Sequence, residues 1–195
     1  MNYYSYLYGD EDESMVLDSR EDYFPKRIRT RKMLIDYVSL EQAKQIIEEN
    51  VSLIRTIDID LHERIAKYIL KVFQGYYTRE NLVSYLERVG DVDEDRAELI
   101  ADDQINKTAE RLLVEKWKKR GCKMVRWEHM GADEPRDYHL RRWNGISGKR
   151  NGRPNGLNGF IFQINKPPVI DLNTNERGYP GQLINCHCRL VPLWE

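Results

Sequence analysis

Cysteine is scarce in this chain: three in 195 residues, an odd number that cannot all pair internally. That excludes the disulfide framework of a small secreted domain and fits a reducing compartment. No run of about 18 apolar residues occurs, so no membrane partner is expected. The first residues, MNYYSYLYGDEDE, lack the basic-then-apolar order of a signal peptide, and the expected place is the cytoplasm where the chain is made. A Walker-type loop, a nucleophile elbow and an H-E-x-x-H helix are missing too. Nothing repeats at a fixed period, which argues against a solenoid. The sequence therefore requires no enzymatic chemistry, and none is expected.

What is there is a polar but foldable chain, 41% hydrophobic and 32% charged, long enough for one ordinary domain with an appendage. Its net charge of -1 conceals an uneven distribution. Between Gly9 and Asp22 stand seven acidic residues against Arg20 alone, whereas from Lys107 to Arg153 there are 14 Lys and Arg against six Asp and Glu. The basic stretch, with Lys116, Lys118, Lys119, Arg120, Lys123, Arg141, Arg142, Lys149, Arg150 and Arg153, suits sequence-independent contact with DNA phosphates. A merely solvated charged face is the competing reading.

Three regions follow one another. Residues 1–25 mix an acidic cluster with Tyr3, Tyr4, Tyr6, Leu7 and Tyr8 and show neither helical nor strand period, so they read as an extended arm that docks on a partner through its aromatic residues. Residues 26–120 read as a helical region. Ser39 with Gln42 forms a capping-box pattern ahead of Leu40, Ala43, Ile46 and Ile47. A second helix is expected from Asp58 or Asp60 to about Gly75, a third from Thr78 to Gly90, and a long one from Asp93 or Asp95 to Gly121. Residues 121–195 change texture: CKMVRWEHM, FIFQI and LINCHCRLVPL read as strands, and the Gly- and Asn-rich residues 144–159 as turns. The expected class is α+β, with a helical first two thirds followed by a small β-rich unit.

Within that last unit the stretch YPGQLINCHCRLVPL concentrates most of the chemistry. On a regular strand Cys186 and Cys188 share one face and His187 takes the other, so the three cannot ligate one ion together. Packed, buried thiols and no cofactor are the expectation. Zinc, held by Cys186 and Cys188 with His139, is the alternative; His129, Cys122, Asp133 and Asp137 complete the nearby stock of ligands. A redox pair or a disulfide is disfavoured by strand geometry. The span WEHMGADEPRDYH also gathers two histidines, four carboxylates and Arg136, which leaves a metal-dependent nuclease or other phosphoryl-transfer enzyme using His129, His139 and the neighbouring carboxylates as the competing function. Mutual ion pairing of Arg136 with those carboxylates is the simpler reading.

The order of these features resembles a family. RAELIADDQINKTAE is followed by a helix closing on KKRG, a strand with Trp127, R-x-x-H at Arg136 and His139, Phe160, YPG at residues 179–181 and NCHC at residues 185–188. This arrangement, over roughly residues 60–195, resembles the phage Mu F-like minor head proteins, the phage head morphogenesis family. The resemblance implies a structural protein of a tailed-phage head, made beside the portal and packaged in a few copies. It implies portal or major capsid protein, further copies of the chain and DNA as partners. The implied location is the head interior or portal vertex, after assembly in the host cytoplasm.

Overall fold

A computed structural model of the chain describes residues 38–131, 136–143, 149–150, 153–154 and 156–194; the side chains of residues 149–154 lie outside it. The expected arm at residues 1–25, with Tyr3, Tyr4, Tyr6, Leu7 and Tyr8, falls outside the described residues, as do Asp133 and Glu134.

The protein is α+β: among the described residues four helices precede a small antiparallel sheet. Helix α1, Leu40–Val51, starts where the capping box puts it: the Ser39 hydroxyl accepts from the Gln42 N–H, and the Gln42 side chain accepts in turn from the Ser39 N–H. A 3-10 turn at Ile59–Leu61, capped by Asp58, leads into α2, His62–Phe73. Thr78 and Asn81 form a second capping box for α3, Arg79–Gly90. That helix is closed by Asp91 in the left-handed region, rather than by Gly90 itself. Asp93 caps α4, Glu94–Lys119, which runs 26 residues and ends ahead of Gly121 at φ 83.

Their apolar faces meet in one core containing Ile46, Ile47, Ile65, Ile69, Phe73, Leu82, Leu86, Leu112 and Trp117, continuous with Val125, Trp127, Phe162, Ile170 and Leu190 beyond the helices. Two polar ties fix the helices' relative positions. Asn50 Nδ2 donates to Thr108 Oγ1 at 3.1 Å inside the α1–α4 contact. The Arg79 guanidinium grips both carboxylate oxygens of Asp102 between α3 and α4.

After Gly121 come β1, Met124–His129; a one-turn helix α5, Asp137–Leu140; β2, Lys149–Arg150; β3, Arg153–Pro154; β4, Ile161–Gln163; β5, Val169–Asp171; β6, Glu176–Arg177; and β7, Cys188–Leu193. The main sheet has the order β4-β1-β7, both pairings antiparallel. Strand β1 is central, and Val125 and Trp127 point into the core while their neighbours are only half buried. Pro192 sits on the edge strand β7, where a missing N–H is tolerated. The strand expected over residues 183–193 begins only at Cys188: Asn185 takes a left-handed φ of 55 within a turn at residues 184–185.

Candidate metal centre

Three elements bring sulfur and imidazole together. The β1–β7 register sets Trp127 opposite Leu190 and His129 opposite Cys188, so all four side chains share the core-facing side of the sheet. The turn before β7 carries Cys186, whose N–H bonds the Leu183 carbonyl. Cys186 and Cys188 are both buried, and His187 points elsewhere, with its Nε2 3.0 Å from Asn185 Oδ1. The alternation read from C-H-C thus survives even though the strand has not yet begun. The single turn of α5 supplies His139, buried at 3% exposure beneath the edge of Trp127.

His139 is oriented by its far nitrogen. Nε2 lies 2.9 Å from the backbone carbonyl of Ile170, which can only accept, so Nε2 carries the proton and donates it. Nδ1 is then a bare lone pair aimed at the two sulfurs, 3.6 Å from Cys186 Sγ and 3.8 Å from Cys188 Sγ. The ligand-type atoms of His139, Cys186 and Cys188 lie within 4.8 Å of one another. This His/Cys/Cys group can hold a metal ion, and a histidine whose second nitrogen is tied to a carbonyl is the usual form of a metal-ligating imidazole.

The surroundings favour thiolate. The Cys186 thiol is pulled below its ordinary value by the neighbouring Cys188 thiol, against the effect of burial, with further help from His139 and the backbone N–H groups of Cys188 and Gly181. Cys188 is pushed up because its thiol serves the Cys186 thiolate and is buried beside that charge. The buried indole N–H of Trp127 has no partner within hydrogen-bond limits; its pull on the Cys188 sulfur favours the thiolate form.

The residues that hold this arrangement are those singled out in the sequence. Arg136 Nη2 donates to the Ile184 carbonyl at 2.8 Å, tying the R-x-x-H segment to the cysteine turn. Tyr179 Oη donates to the Ile164 carbonyl at 2.6 Å. Gly181, at φ 77, lies against the backbone of Asn106 and Lys107 on α4, and the Asn185 N–H helps to offset the effect of burial on the Asp103 carboxyl. Asp103 is itself paired with the buried Lys107 at 2.6 Å. The YPG and NCHC segments are thereby docked on the long helix.

Other expected site residues are scattered. Lys116 is buried at 3% exposure, which corrects its assignment to a DNA-facing surface. Lys118 pairs with Glu115 and lies over the Tyr179 ring, Lys119 bonds Gln42, Arg120 lies over Trp194, and Arg141 pairs with Asp137. Lys123 and Arg142 are exposed. The side chains of Lys149, Arg150 and Arg153 lie outside the described residues. Of the carboxylates invoked for a nuclease, Asp137 is exposed beside Arg141 and Glu128 is held by Arg126 and Arg189, while both histidines have Nδ1 against sulfur. Cys122 bonds the Met124 carbonyl at the opposite end of β1 and takes no part in the group.

The contact that sequence reasoning left in a general stock of ligands is His129, whose Nδ1 lies 3.6 Å from Cys188 Sγ. Its signal was the alternation Val125, Trp127, His129 along one strand face. Among the described residues no helix is long and apolar enough to cross a membrane.

No protein-family model matches the chain, and no solved structure matches it. The chain is similar to an uncharacterized protein of Haemophilus influenzae, 21% identical over 153 residues that make up 78% of this chain. Those residues are 30% of that protein, so the chain spans less than a third of its relative's length.

Proposed function

We propose that the chain is a non-enzymatic structural protein of a tailed-phage head, acting in head morphogenesis near the portal, and that zinc on His139, Cys186 and Cys188 clamps its C-terminal unit. The observation that carries this reading is the convergence of the segments on which the family resemblance rests. His139 of R-x-x-H, Gly181 of YPG and both cysteines of NCHC come from three stretches of chain and meet at one buried spot, while the exposed Arg136 ties the R-x-x-H segment to the cysteine turn from outside. Their joint product is a staple between α5, the cysteine turn and β7, sealed in the core beneath Trp127. A buried thiolate-imidazole group with its second nitrogen anchored belongs to structural zinc chemistry, where metal binding adds directly to folding stability.

In the particle the protein works beside the portal or major capsid protein, with further copies of itself and with packaged DNA as neighbours. The acidic, tyrosine-rich arm at residues 1–25 is the docking element, its charge keeping it off DNA and meeting basic side chains on the partner. Quantitative mass spectrometry of purified particles tests the reading. The full chain is expected in a few copies per head, and deletion of residues 1–22 is expected to lower that number while leaving the folded body intact. Absence from particles, together with normal head assembly when the chain is not made, would overturn it.

A further inference from the structure

We infer that His129 is the fourth ligand, closing the site as a Cys2His2 centre that joins β1 to β7 and α5; this rests on the zinc reading above.

Tetrahedral geometry provides the first argument. With Zn–S of about 2.3 Å and Zn–N of about 2.0–2.1 Å, two donors at the tetrahedral angle stand about 3.6 Å apart for a sulfur-nitrogen edge. His139 Nδ1 makes such edges of 3.6 and 3.8 Å with Cys186 and Cys188, and His129 Nδ1 makes one of 3.6 Å with Cys188. Three donor edges thus already have the length that a shared zinc ion imposes. The mutual 4.8 Å group comprises His139, Cys186 and Cys188. His129 stands one contact further out and turns inward when the ion draws the four donors together. Its position permits this: it is the last residue of β1, half buried, followed after Met130 by Gly131 at φ 88.

Elimination provides the second. Three other donors near the cluster are committed. His187 Nε2 is with Asn185, Asp103 is paired with Lys107, and Cys122 bonds the Met124 carbonyl. The cross-strand register places His129 directly opposite Cys188 whatever the metal does. A cavity of about 180 Å³ on the α4 side, lined by Asp102, Asp103, Asn185, Cys186 and His187 among others, reaches Cys186 and gives an ion a way in. Four protein ligands leave no position for water or substrate, which separates a structural centre from a hydrolytic one.

The test uses the full chain, titrated with cobalt(II) and loaded with zinc. Cobalt should give the intense visible bands of a tetrahedral two-thiolate, two-imidazole site. The zinc X-ray absorption edge should fit two sulfurs at about 2.3 Å and two nitrogens at about 2.0–2.1 Å. His129→Ala should weaken metal binding at least about 10-fold, no less than loss of an outer-shell partner does, and should replace one imidazole by water in the absorption fit. His187→Ala should change neither. His129→Cys, which restores a ligand should the alanine variant fold poorly, should add a third thiolate to the charge-transfer band. Failure of the parent chain to bind cobalt or zinc would remove the zinc reading and this inference with it. Metal binding by the parent with an unchanged spectrum and affinity in His129→Ala, and no third thiolate in His129→Cys, would overturn the fourth ligand alone.

Discussion

Gly181, held at φ 77, turns its backbone N–H so that it helps pull the Cys186 thiol below its ordinary value, and the glycine of YPG is thereby part of the cysteine's surroundings, five residues before it in sequence. The same glycine sits with 3.4 Å between an added Cβ and the backbone of Asn106 and Lys107. Gly181→Ala therefore meets an unfavourable left-handed backbone, with the added methyl in van der Waals contact with α4. It should cost about 1–2 kcal/mol from the backbone alone and should also weaken cobalt binding, since any shift of the turn moves the N–H off the thiolate. Urea unfolding with and without metal checks both effects; equal stability to the parent in both would mean the turn is not constrained by its helix contact.

Chelation should act locally before it acts globally. The proposed zinc ligands lie on β1, α5, the cysteine turn and β7, whereas α1 to α3 contribute none. Removing zinc should raise amide hydrogen exchange at residues 126–129 and 184–190 while leaving Leu40–Val51 and His62–Phe73 near their metal-loaded rates. Uniform acceleration across the chain would show that the two parts unfold as one unit through their shared core.

Local signals were legible in the sequence and long-range ones were not. Ser39 with Gln42, Thr78 with Asn81, and Asp93 each mark a helix start because the capping bonds span three residues. The β1–β7 register that brings His129 to Cys188 joins residues 59 apart, and nothing near either residue records it. The late start of β7 escaped because LINCH is apolar enough for a strand, yet Asn185 adopts φ 55 and breaks the extended chain just before the ligands. Lys116 was misplaced because a lysine in a basic run reads as surface, while on α4 it occupies the buried side beside Leu112, Leu113 and Trp117. The acidic residues of α4 split between roles that spacing alone did not separate: Asp102 serves Arg79, and Asp103 serves the cysteine turn.

Burial pushes the Glu110 carboxyl up to about 8, against the opposing pull of the Leu190 N–H, and leaves Glu110 Oε2 without a hydrogen-bond partner. A carboxyl whose folded value exceeds its ordinary 4.5 favours the protonated folded state. Its contribution is therefore fully present below about pH 4.5 and is lost as pH rises toward 8, where a buried carboxylate must be carried. Glu110→Gln keeps the shape and removes the ionisation. It should be close to neutral at pH 4.5 and increasingly stabilising up to pH 8. The gain has a ceiling of about 5 kcal/mol, because each tenfold change in proton affinity on folding is worth roughly 1.4 kcal/mol. A stability difference that does not change across that range would mean Glu110 ionises normally in the folded protein.

The buried bond from Asn50 to Thr108 offers a check on how the helices are held together. Asn50→Ala should cost about 1–3 kcal/mol, because it leaves the Thr108 hydroxyl buried without its partner. Adding Thr108→Val should recover part of that loss, since an apolar pair of similar shape strands no polar group. A double-mutant cycle in denaturant measures the coupling, and strictly additive losses would show that water replaces the missing amide.

The exposed cations left after Lys116 is withdrawn set the expectation for nucleic acid. Lys119 and Arg120 at the end of α4 and Lys123 just beyond it lie within five residues, and Arg142 is exposed on the segment after α5. Lys119 and Arg120 have light surface engagements with Gln42 and the Trp194 ring, which cost little to exchange for phosphate. Binding to duplex DNA should be weak, independent of sequence, and should lose close to one unit of log-log salt slope for each phosphate contact removed. Lys119→Gln, Arg120→Gln and Lys123→Gln together should reduce the slope by about two to three units, whereas Lys116→Gln should leave it unchanged and act on stability instead. Fluorescence anisotropy at several salt concentrations gives both quantities. An affinity for DNA insensitive to salt, or a slope that falls with Lys116 and not with the exposed trio, would rule out this face as the contact.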